Sequence, residues 1–289
     1  MAPPAARCYR FTPSKDMLLR LSLTPWWEMI YFGTSGFSYK DWVGPYYPEG
    51  MPRSEWLSFY AREFKATELN FSYYGIPTTS TLERLLDKTP PDFLFTLKAH
   101  QDMTHQREDN KQVFSEFINS LVPLLDAERL GCVLAQFPWS FRAGQDSLDY
   151  LLFLRQQMGT LPVVIELRNR DWISEETFAF LRENNLGFCC VDQPRLKGLI
   201  PPVAEATSSI GYVRLHGRNA KKWWQHKEAW ERYDYTYSDE ELEEWVPRIG
   251  KLEEATDKTF VFANNHWQGQ AVQTARQLRM LFTDPEPRR

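Results

Sequence analysis

The chain has 289 residues, 43% of them hydrophobic, and its 34 basic and 38 acidic side chains leave a net charge of -4. That balance, with no basic tail, excludes a general nucleic-acid coat while leaving room for a local basic groove. No apolar run approaches the ~18 residues of a membrane span, and the four cysteines, Cys8, Cys132, Cys189 and Cys190, show no zinc spacing.

Met1 to Glu28 holds Pro3, Pro4, Pro13 and Pro25 and no clean periodicity. Residues 1–28 read as an N-terminal extension, disordered or preceding the true start at Met29, and 29–289 as one barrel domain. From Ile30 onward a short apolar run repeatedly ends in polar residues and is followed by a helix-like stretch. The strands are expected at Ile30–Gly33, Ala66–Asn70, Phe93–Lys98, Cys132–Gln136, Val163–Leu167, Gly187–Val191, Tyr212–Leu215 and Thr259–Ala263. Between them, helices are expected over about 54–64, from a Ser80/Glu83 capping box, over 110–125 and 147–158, from Ser174, from a Ser238/Glu241 capping box, and from Gly269 to Phe282. A Pro-rich link with Pro194, Pro201 and Pro202 follows strand 6, and an unusually long loop rich in Trp and Tyr follows strand 7. Eight such units predict the α/β class and a single (β/α)8 TIM-type parallel barrel, with its chemistry at the C-terminal ends of the strands.

Residues two apart on a strand share a face. Val163, Ile165 and Leu167 suit the helix layer, so Glu166 and Arg168 point inward. The same parity pairs Glu68 with Asn70, Thr96 with Lys98, Arg214 with His216, Phe262 with Asn264, and Cys190 with Asp192. Buried charges need partners, so an internal salt-bridge network is the plain structural alternative. For acid–base work Glu166 and His216 are the first pair, with Asp192 in reserve and Lys98 balancing charge. Arg168 and Arg214 are fork-shaped donors suited to phosphate or carboxylate. Glu68, Asn70, Asn264, Gly269 before the last helix, Tyr235 and Trp42 complete the expected binding set. A divalent metal on Glu68, Glu166, Asp192, His216 and His266 is disfavoured by the three cations in the same mouth, so no metal and no cofactor are expected.

Gly33-Thr34-Ser35-Gly36-Phe37, Glu68-Leu69-Asn70, Phe95-Thr96-Leu97-Lys98, Gln136-Phe137-Pro138, Glu166-Leu167-Arg168 with Trp172, Tyr212-Val213-Arg214-Leu215-His216-Gly217, Tyr235-Thr236-Tyr237-Ser238 and Asn264-Asn265-His266 are ordered along the chain in a way that resembles the YecE-like family, a domain of unknown function. The resemblance runs from about Ile30 to Phe282 and implies a TIM-type barrel without implying an activity. One departure is Arg168-Asn169-Arg170, where a histidine near Asn169 is expected. The fold is shared with sugar isomerases and with an abasic-site endonuclease class, a fold-level analogy only.

The resulting expectation is a cytoplasmic enzyme of hydrolase or isomerase type, without redox chemistry, acting on a small anionic or polyhydroxylated substrate. One alternative is a barrel that binds or processes nucleic acid through Lys221-Lys222-Trp223-Trp224. The other is a non-catalytic ligand-binding barrel.

Overall fold

A computed structural model describes residues 29–283. The expected N-terminal extension, residues 1–28, lies outside the described residues. Eight strands, β1 (Ile30–Thr34), β2 (Ala66–Leu69), β3 (Leu94–Lys98), β4 (Leu130–Gln136), β5 (Val163–Glu166), β6 (Leu186–Asp192), β7 (Ile210–Leu215) and β8 (Lys258–Ala263), form one sheet. The sheet runs β1-β8-β7-β6-β5-β4-β3-β2, and its named strand pairs are parallel. A parallel bridge between Ser35 and Glu68 joins β1 to β2 at the C-terminal end and closes the ring. Strands buried on both faces carry nearly continuous apolar runs, and every residue of β6 is buried.

The helical layer comprises α1 (Trp56–Tyr60), α2 (Thr79–Leu86), α3 (Lys111–Ser120), α4 (Val122–Asp126), α5 (Gln145–Met158), α6 (Glu175–Glu183), α7 (Asp239–Glu243), α8 (Val246–Glu254) and α9 (Gln270–Thr283). The alternation fails once. Between β6 and β7 there is no helix: Pro194, Pro201 and Pro202 each remove one backbone N–H from the link and disfavour the helical conformation of the residue before them. The helix expected over 110–125 breaks at Leu121 into α3 and α4, with Pro123 in the first turn of the second piece. The cap of α2 is Thr78, whose hydroxyl accepts from the Thr81 amide, and not Ser80. The Ser238/Glu241 capping box forms, and Ser174 caps α6.

The barrel interior is filled rather than open. Tyr31 packs on Phe260 at 5.3 Å between ring centroids and Tyr212 on Phe262 at 5.5 Å. The register slips between Phe95 and Thr96 opposite Gly131, where a Cβ would stand 2.6 Å from the Phe260 ring. A side chain there would push the interior apart. This aromatic layer seals the bottom, so polar groups meet only near the C-terminal rim. Among the described residues no helix is long and apolar enough to cross a membrane.

Candidate functional site

Three strand ends converge on a buried ion network. Arg214, near the end of β7, is the hub. Its Nη1 donates to Glu166 Oε2 at 2.5 Å, and its Nη2 donates to Glu68 Oε1 at 2.6 Å. Tyr212 donates its hydroxyl to the other oxygen of Glu68 at 2.7 Å. The remaining oxygen of Glu166 lies 2.7 Å from Arg168 Nη2 and 3.3 Å from His216 Nε2. Parity on β2, β5 and β7 thus places Glu68, Glu166 and Arg214 as the sequence implies. Burial alone would raise the Glu166 carboxyl, but Arg168, Arg214 and His216 outweigh it and hold the group well below the ordinary carboxylate range. Burial likewise opposes the charge on Arg214, and Glu166 and Glu68 reverse the effect. Glu166 and Arg214 are thereby held in their charged forms, paired within the network.

His216 is the member whose chemistry differs most from the sequence expectation. It is fully buried, and burial, reinforced by Arg168, lowers its pKa to about 3. It is therefore neutral at physiological pH and not the titrating partner its residue type suggests. Its Nδ1 lies 2.9 Å from Asn264 Nδ2, so it holds Asn264 in place from beneath.

Above the network lies a cavity of about 590 Å³. Asn70, Lys98, Arg168, Arg214 and Asn264 from the expected set line it, together with Gln136. Arg168 and Arg214 turn a face to the cavity while leaning on Glu166. Lys98 leans on no carboxylate: among the described residues no acidic oxygen lies within ion-pair distance of its Nζ, which rests 4.2 Å from the Tyr73 ring centroid. Burial, then Arg214, lowers its pKa to about 8, against partial relief from Glu166 and Glu68. Three cations against two carboxylates leave the cavity wall with a net positive charge. The Oδ1 of Asn70 and the Nε of Arg168 are buried without a hydrogen-bond partner, and such groups are costly unless something satisfies them.

The opposite wall is aromatic and comes from loops that strand parity cannot place. Tyr39, Tyr233 and His266 line the cavity, with Phe37 and Phe71. Tyr39 stacks on His266 at 4.6 Å and donates its hydroxyl to the Ser35 carbonyl at 2.6 Å. Burial lowers the His266 pKa to about 4 despite Asp41, so this ring is also neutral. Trp42 does not line the cavity. It sits beneath the wall, donating its Nε1 to the His266 carbonyl at 2.6 Å.

Other expected residues are placed elsewhere. Asp192, paired with Cys190 by parity and expected inward, faces the helix layer. Its carboxylate accepts from Trp245 Nε1 at 2.8 Å, Tyr237 Oη at 2.7 Å and Arg218 Nη2 at 2.8 Å. Cys189 is the β6 residue that meets the interior, its Sγ 4.0 Å from Glu166, whereas Cys190 contacts the Glu205 carbonyl in the outer link. Every residue of β6 is compatible with burial, so its sequence carries no signal for which face is which. Tyr235 donates to Glu241 in the outer network. Gly269 serves the turn into α9, with φ +79° and a neighbouring groove of its own beside Pro45. In the β7–α7 loop, Trp223 is buried and Lys222 pairs with Glu231 at 2.6 Å, leaving Trp224 exposed against Trp139. Among the described residues no three His, Cys, Asp or Glu side chains cluster as a metal-binding group.

A closed parallel barrel whose charged strand ends open into one C-terminal cavity defines a TIM-type barrel protein with its candidate site in the usual place. The chain matches the family described as "Protein of unknown function DUF72" over residues 31–288. It belongs to that family, in agreement with the YecE-like resemblance. It is 33% identical over 270 residues to the UPF0759 protein YunF of Bacillus subtilis (strain 168), covering 88% of this chain and 95% of that one. Among solved structures it is similar to a DUF72 family protein of Thermotoga maritima MSB8, with 38% identity, a TM-score of 0.82, and coverage of 89% of this chain and all of that one. A DUF72 family protein of Enterococcus faecalis V583 aligns with 25% identity and a TM-score of 0.79 over 88% of this chain and 96% of that one. None of these descriptions names an activity or a substrate.

Proposed function

We propose that the cavity at the barrel mouth binds a small anionic or polyhydroxylated molecule and acts on it by acid–base chemistry, as a cytoplasmic enzyme of hydrolase or isomerase type. The observation that carries this reading is the pair of Lys98 and Arg168 on one wall of a cavity of about 590 Å³, with more positive charge than the two buried carboxylates neutralise. Phosphate or carboxylate would supply the missing negative charge, and the guanidinium fork of Arg168 suits either group. Asn70, Gln136 and Asn264 offer amides to hydroxyl groups, and the aromatic wall of Tyr39 and Tyr233 suits a sugar or other planar face.

Proton movement falls to Lys98 rather than to the Glu166–His216 pair. Glu166 is held ionised behind two arginines and His216 is held neutral below them. A lysine near pH 8 that faces the cavity is matched to exchange a proton at physiological pH. Glu166 and Glu68 are positioning residues that aim Arg168 and Arg214.

The test is thermal unfolding with phosphorylated sugars, sugar acids, nucleotides and short oligonucleotides. A ligand that binds only the native state stabilises it by ~2.7 kcal/mol at a hundredfold excess over Kd. The expected result is a shift from small anions that is lost in Arg168→Gln and Lys98→Met. A shift confined to oligonucleotides, steeply weakened by salt, would overturn the reading in favour of a nucleic-acid partner.

A further inference from the structure

Lys98 is an amine without an anionic partner. It stands at the C-terminal end of β3, and its own backbone is pinned by Ser72, whose hydroxyl donates to the Lys98 carbonyl at 2.6 Å. The ammonium rests over the Tyr73 ring at 4.2 Å and lines the cavity. Lys222 pairs with Glu231 and Lys65 with Asp92, and lysines without such a partner elsewhere on the surface keep their charge in water, whereas Lys98 is both unpaired and buried. A buried lysine left unpaired is destabilising unless it can give up its proton. Every group facing it is accounted for: Arg214 and Arg168 oppose its charge, Glu166 and Glu68 favour it from behind the arginines, and His105, held neutral with a pKa of about 4, lies on the same side. A lysine near 8 has roughly 300-fold more free amine at pH 7 than an ordinary one near 10.5. A free amine in a sheltered cavity is a nucleophile toward carbonyl carbon.

Resting on the small-anion reading, we infer that Lys98 forms an imine with the aldehyde or ketone of a small anion, such as a 2-oxo acid or an open-chain sugar phosphate, whose charged group is held by Arg168 and Arg214. The nitrogen lone pair attacks the carbonyl carbon, forming the C–N bond, and the carbonyl oxygen takes up a proton. The nitrogen loses its first proton to give the carbinolamine. The hydroxyl then takes up a second proton and leaves as water as the C–O bond breaks and the nitrogen lone pair forms the C=N bond, and loss of the second N–H proton gives the imine. The balance is amine plus carbonyl giving imine plus water, with no change in oxidation state. The imine acidifies the carbon beside the former carbonyl, so on such a substrate Lys98 serves the proton transfer by activating that C–H bond rather than by carrying its proton.

The experiment incubates the full chain with sodium cyanoborohydride and either pyruvate or glycolaldehyde phosphate, then reads intact mass and maps the modified peptide. Thermal shift with the same compounds, and with lactate as a non-carbonyl control, is measured in parallel. The expected result is one saturable secondary-amine adduct per chain on Lys98, suppressed at least tenfold in Lys98→Arg and by excess lactate or phosphate. Lys98→Met serves where the arginine variant fails to fold, and Arg168→Gln should raise the carbonyl concentration required. A thermal shift with no adduct on Lys98 overturns the imine and leaves the anion site standing. Equal total labelling of wild type and Lys98→Arg, with the adducts on surface lysines, also overturns it. Neither shift nor adduct from any of the compounds overturns both.

Discussion

Two arginine–carboxylate clusters lie within one molecule and behave differently. In the first, Arg214 and Arg168 hold Glu166 and Glu68 at the top of the barrel interior. In the second, Arg218 holds Asp192 between β6 and the helix layer, with Glu241 and Glu244 beside it at 3.4 and 3.2 Å. The residue types are the same. The second cluster is saturated: Asp192 also accepts from Trp245 and Tyr237, and no cation is left over. The first is short of negative charge and opens on a cavity, with Lys98 unpaired and a side-chain amide oxygen unsatisfied. An ion pair says little about function by itself. What separates a site from a structural tie is whether the groups around it are satisfied.

The largest effect should come from breaking the hub. Arg214→Met leaves Glu68 and Glu166 buried without their shared cation, and a loss of ~3–5 kcal/mol is expected in urea unfolding. Asp192→Ala removes the anchor of Arg218, Trp245 and Tyr237 and should cost about 3 kcal/mol. Ligand affinity should survive in whatever fraction folds, and a parallel loss of affinity would show that the two clusters are one functional unit.

Lys98→Met should act the opposite way. Replacing an unpaired buried amine by an apolar chain of similar length is expected to leave stability unchanged or slightly raised, while turnover, once a substrate is found, falls by ~10²-fold or more. A large stability loss in chemical denaturation would return Lys98 to a structural role.

Acid should reveal the interior through its neutral histidines. His216 and His266 have folded-state pKa values lowered to about 3 and about 4, whereas the unfolded chain titrates near 6.5. The unfolded state therefore binds more protons between these limits. Stability is fully present above about 6.5 and declines as pH falls toward 3–4, with a slope of up to ~1.4 kcal/mol per pH unit for each histidine. Glu166 adds to this below its unfolded value of 4.5, since its folded pKa is depressed. Urea midpoints across pH 4–7 check the sign, and His216→Asn should flatten the profile. The smallest effect belongs to Trp224→Ala. The ring is half exposed, so a change within ~0.5 kcal/mol is expected in thermal unfolding.

The strand ends were legible because the pattern that marks them is local. A run such as Val163-Val164-Ile165-Glu166 announces both a buried strand and its polar end, and alternation then assigns Glu166, Glu68 and Arg214 to the interior. Sequence alone thus determined the parallel barrel, the rim that carries the charges and most of the cations. It did not determine the face of Asp192, because β6 is apolar on both sides and a period of two carries no sign there. Nor could it show which charges cancel. That Glu166 and Glu68 are consumed by arginines while Lys98 is left free depends on distances of a few ångströms between strands far apart in the chain. Which of the loop aromatics form the wall was equally hidden, since Tyr39, Tyr233 and His266 come from loops with no periodicity and meet only when the barrel closes. Periodicity is a property of neighbouring residues, but neutralisation and burial belong to the assembled barrel, and only the tertiary structure decided them.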